Sequence, residues 1–112
     1  MEQITGSDKQ IAWATTIRSE ILDRIAGVIA TLEQAILDDP DTYGSRLSLK
    51  RLDGARAMLA AVEAWTDGGE IINWRAKWDL PQLSPVAKRA GFEATEAWQG
   101  AASSAARIRS LA

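Results

Sequence analysis

Residues 7 to 40 read SDKQIAWATTIRSEILDRIAGVIATLEQAILDDP, and this stretch decides the fold. Ser7 followed three residues later by Gln10 has the spacing of a capping box, in which the hydroxyl accepts a free N–H of the first helical turn and the amide reaches back. Asp8 falls in that first turn, where the helix dipole favours an anion. With residues placed roughly 100° apart, Ile11, Ile17, Ile21, Leu22, Ile25, Val28, Ile29, Leu32 and Ile36 lie within an arc of about 140°, a core-facing stripe. Glu20, Asp23, Gln34 and Asp38 take the opposite side. Pro40 ends the segment, because the residue before a proline is pushed out of the helical region. The reading is one amphipathic helix of about 30 residues, with Gly27 on its polar side as the weak point.

The rest of the composition agrees with a helical chain. Of 112 residues, 46% are apolar, and these include twenty alanines but three valines, so helix formers outnumber strand formers. The length suits one domain, residues 1–112, large enough to fold on its core alone. The absence of Cys and His removes disulfides, thiolate nucleophiles, imidazole ligands and Ser-His-Asp triads. No run approaches the roughly 20 apolar residues of a membrane span, and Met1-Glu2-Gln3 does not open a signal peptide, so a cytoplasmic protein is expected. The net charge of −2 is split unevenly. Residues 1 to 44 hold eight acids against three bases, and residues 45 to 112 hold ten bases against seven acids.

Asp38, Asp39 and Asp41 surround Pro40 without the alternating ligands and closing glutamate of a calcium loop, so they read as a solvated turn and no metal is expected. A second helix is predicted from Ser45 or Ser48 to Thr66, with Leu52, Ala55, Leu59 and Val62 on its inner face and Gly68-Gly69 as its stop. A short helix follows from Glu70 to Trp78, with Ile71, Trp74 and Trp78 on one side. Ser84-Pro85 starts another as N-cap and first-turn proline, and Gly91 suits its left-handed end. Residues 92 to 112 show only a weak stripe of Trp98, Ala102 and Ala105. From about residue 100 onward they read either as a close-packed small-residue helix or as a mobile tail. The expected fold is therefore all-α, a small helical bundle built on one long N-terminal amphipathic helix.

The string Ile4-Thr5-Gly6-Ser7-Asp8-Lys9-Gln10-Ile11-Ala12-Trp13-Ala14, followed by Ile17-Arg18, resembles small uncharacterised helical proteins carried by phages and other mobile elements. Those have the pattern Ile-Thr-Gly-Ser-acid-Lys-Gln-x-x-Trp-Ala-x-x-Ile-Arg. Ile71-Ile72-Asn73-Trp74-Arg75 is loosely similar to a later segment of the same group. The resemblance implies a setting without a chemistry, and in that setting a short protein lacking catalytic residues is expected to block host machinery, such as a defence system. Val86 to Phe92, with Thr95 beyond, resembles the first helix and turn of lac-repressor-type DNA readers. It departs from them at Glu93, Glu96 and Trp98, where carboxylates would meet phosphates.

Five tryptophans among so few aromatics supply the candidate contact residues. Trp74-Arg75-Ala76-Lys77-Trp78 interleaves rings and cations, so that Arg75 and Lys77 offer contacts while the rings serve as core anchors or as a stacking platform. Trp13 lies about 40° outside the apolar arc, as a lid over the core end or an exposed contact. Arg18 falls inside that arc, where it either extends along the helix to solvent, pairs with an acid of another helix, or holds a ligand. Trp98 completes the set. The expectation is a non-catalytic interaction protein without cofactor, binding a host protein or its own copy through Trp13, Arg18, Arg75, Lys77 and Trp98. The alternative is a nucleic-acid-binding accessory protein using Lys88, Arg89, Arg107 and Arg109 of the basic second half.

Overall fold

A computed structural model describes residues 3–38, 43–74 and 85–111. They form five helices: α1 (Asp8–Asp38), α2 (Tyr43–Glu63), α3 (Gly68–Trp74), α4 (Pro85–Ala90) and α5 (Phe92–Leu111). At about 1.5 Å rise per residue, the 31 residues of α1 make about 46 Å, which sets the 50 Å long axis of the molecule. The capping box forms as its spacing predicts. The Gln10 amide N–H donates to the Ser7 hydroxyl at 3.3 Å, and the Ser7 N–H donates to the Gln10 side-chain oxygen at 3.1 Å.

α1 and α2 run antiparallel, as shown by Arg18 reaching Trp65 while Glu33 reaches Arg56. α5 returns antiparallel to α2, with Gly54 against Ala97 and Gly100 against Arg51. Between them lies a core of Ile21, Ile25 and Leu32 from α1, Leu52, Met58 and Val62 from α2, and Trp98, Ala101 and Ala105 from α5. Each large side chain buried there contributes about 1.5–3 kcal/mol. The small residues of α5 are core residues because α2 comes so close. A Cβ at Gly54 would lie 3.0 Å from the Ala94 carbonyl oxygen and overlap the Ala97 methyl. Residues 100–111 continue α5, with Ala101 and Ala105 buried.

Three boundaries differ from the sequence reading, the first being the start of α2 at Tyr43 and not at Ser45 or Ser48. α2 ends at Glu63 and not at Thr66, and Gly68-Gly69 opens α3 where it was expected to close α2. Asp67 is the N-cap, its carboxylate accepting from the Glu70 N–H at 3.0 Å. The α4–α5 corner follows the expectation: Gly91 has φ of 95°, and its N–H donates to the Ala87 carbonyl at 2.9 Å. Trp78, the turn acids Asp39 and Asp41, and the predicted cap Ser84 lie outside the described residues.

Candidate functional site

The end of α2 presents carbonyls that no helical N–H can reach. Residues distant in sequence satisfy four consecutive ones. Arg18 donates to the Trp65 oxygen at 2.9 Å and the Glu63 oxygen at 3.5 Å. Arg89 donates to the Ala64 oxygen at 2.7 Å, and Thr5 donates to the Thr66 oxygen from its N–H at 2.7 Å and its hydroxyl at 3.2 Å. Two guanidinium groups at the C-terminal end of a helix also complement its dipole.

The opening string of the chain builds this corner. Ile4 is buried, and the Thr5 carbonyl accepts the Gly68 N–H at 2.9 Å, the one β-like pairing among the described residues. Gly68 has to be glycine, since a Cβ there would stand 2.5 Å from the Thr5 oxygen. Gly6 turns the chain into α1 with φ of 139°, and the Gln10 side chain lies over it. Trp65 is buried behind this clasp, its indole N–H donating to Glu70 at 2.6 Å. Ile4, Thr5, Gly6, Ser7, Gln10 and Arg18 therefore all serve the fold.

Arg18 is 5% exposed, so it neither extends to solvent nor presents itself to a partner, which corrects its place among the contact residues. The helix stripe put it on the inner face correctly. Its carbonyl acceptors, 45 and 47 residues away, lie beyond any local pattern. Trp98 is corrected likewise, buried at 4% against the α2 seam. Trp74 is half-buried on the core, and Arg75 and Lys77 lie outside the described residues.

Trp13 is the large apolar side chain of the string that stands exposed, with half its surface in solvent at 50%. Sequence reasoning passed over three further exposed apolar side chains: Leu37 (74%), Leu49 and Phe92 (70%). Phe92 follows the corner glycine and so starts α5 pointing off the core, a signal that Gly91-Phe92 carries in retrospect. Beside it, a shallow depression of about 210 Å³ is lined by Ala87, Lys88, Gly91 and Thr95. A wider cleft of about 530 Å³ between α2 and α5 has a small-residue floor of Gly54, Ala94 and Ala97 and a rim of Lys50, Asp53 and Glu93. Neither brings together a nucleophile, a base and an oxyanion donor set. Among the described residues, no group of three or more acids is placed to hold a metal.

Lys88 and Arg89 close α4, and Arg107 lies fifteen positions into α5, about 22 Å further along by helical rise. The side chain of Arg109 lies outside the described residues. Arg89 is engaged at Ala64. One residue, Gly91, joins α4 to α5, where helix-turn-helix motifs use three or four. Thr95 turns inward to the Gly91 carbonyl at 2.8 Å, and Glu93 and Glu96 face solvent.

Compared with family profiles, curated proteins and solved structures, the chain matches none of them. Among the described residues, no helix is long and apolar enough to cross a membrane.

Proposed function

We propose that this chain is a non-catalytic binding protein that docks on a protein surface through Trp13. The observation that carries this reading is the half-exposed indole beside Ile4, Thr5, Gly6, Ser7, Gln10 and Arg18, which serve the fold. An exposed ring of this size is costly to leave in water, and tryptophan is among the residues most enriched at binding hot spots. The lack of Cys and His throughout the chain supports binding over chemistry, with no cofactor or metal taking part. The resemblance of residues 4–18 supports a phage or mobile-element setting. There the partner is a host protein in the bacterial cytoplasm, such as a component of defence machinery, or a second copy of the chain.

The test pairs wild type with Trp13→Ala. The variant keeps its helical spectrum and melting temperature to within about 4 °C, since the ring is half in solvent. Its affinity for a protein recovered from host extract by the wild-type chain falls at least about thirtyfold, the loss expected of a hot-spot residue. Equal recovery and affinity with both chains would refute the reading.

A further inference from the structure

We draw no further inference here: the strongest candidate, the cleft between α2 and α5 floored by Gly54, Ala94 and Ala97, has a rim of both charge signs in Lys50, Asp53 and Glu93, and nothing in the structure shows what covers it.

Discussion

Arg18→Ala tests the corner at the end of α2. The guanidinium is 5% exposed and donates to the Trp65 oxygen at 2.9 Å and, more weakly, to the Glu63 oxygen at 3.5 Å. Each hydrogen bond from a charged donor contributes about 1.5–3 kcal/mol, with the longer one at the low end. Truncation also strands buried carbonyls and removes a cation from a helix C-terminus, so the loss comes to about 3–5 kcal/mol. With an unfolding entropy of about 2.1 cal/mol/K per residue over 112 residues, about 0.24 kcal/mol/K, the melting temperature should fall by about 13–21 °C. Circular dichroism melts with a urea titration provide the assay, provided the two transitions agree with a two-state process. Arg18→Lys keeps the charge but loses the planar fork and should lose roughly half as much. Arg18→Met keeps the aliphatic stem without a donor, which separates lost packing from lost hydrogen bonding. A drop of less than about 4 °C for Arg18→Ala would refute the capping role.

Gly68→Ala forces a methyl against the Thr5 oxygen and should cost about 1–3 kcal/mol, with faster hydrogen exchange at the Thr5 and Gly68 amides. Combined with Arg18→Ala it should be non-additive by about 0.5 kcal/mol or more, because both loosen one corner; additive losses would separate the two devices. Gly54→Val drives a branched side chain into Ala94 and Ala97, so cooperative melting should be lost or lowered by more than about 10 °C in calorimetry. Ser7→Ala removes the hydroxyl acceptor of the Gln10 N–H and should cost about 0.5–2 kcal/mol in urea unfolding, while Ser7→Gly should cost only a few tenths.

What local pattern governs was legible in the sequence. Ser7 and Gln10 mark the start of α1, its apolar stripe gives the buried face, and Gly91 takes the positive φ that a helix end needs. Gly68-Gly69 misled because glycine has two uses. At a helix end it suggests a left-handed stop, but Gly68 is required here by the close approach of a strand-like segment more than sixty residues earlier. Trp98 misled for a related reason. It was read with Ala102 and Ala105 as a weak stripe, yet Ala105 and the unread Ala101 are fully buried and Ala102 partly so, because Gly54 lets α2 approach to backbone distance. Periodicity scores the size of apolar side chains and not the closeness of the helix that covers them. Trp13 sat at an edge that the wheel left open, and on the folded chain it is half exposed.

The distinctiveness of the opening string has a physical cause. Ile4, Thr5, Gly6, Ser7, Gln10 and Arg18 each answer a separate need at one place: burial, strand-like pairing, a turn, a cap and a donor for stranded carbonyls. In this chain those residues of the string speak for fold. Trp13 stands apart from them as a large apolar side chain with half its surface in solvent. The two roles separate when melting temperature and partner affinity are measured on the same variants. Clasp variants should lose stability first and affinity only as far as the fold is lost, whereas Trp13→Ala should lose affinity at nearly constant melting temperature. A Trp13 variant that melted as early as Arg18→Ala would assign the indole to the fold and remove the reason to place a partner there.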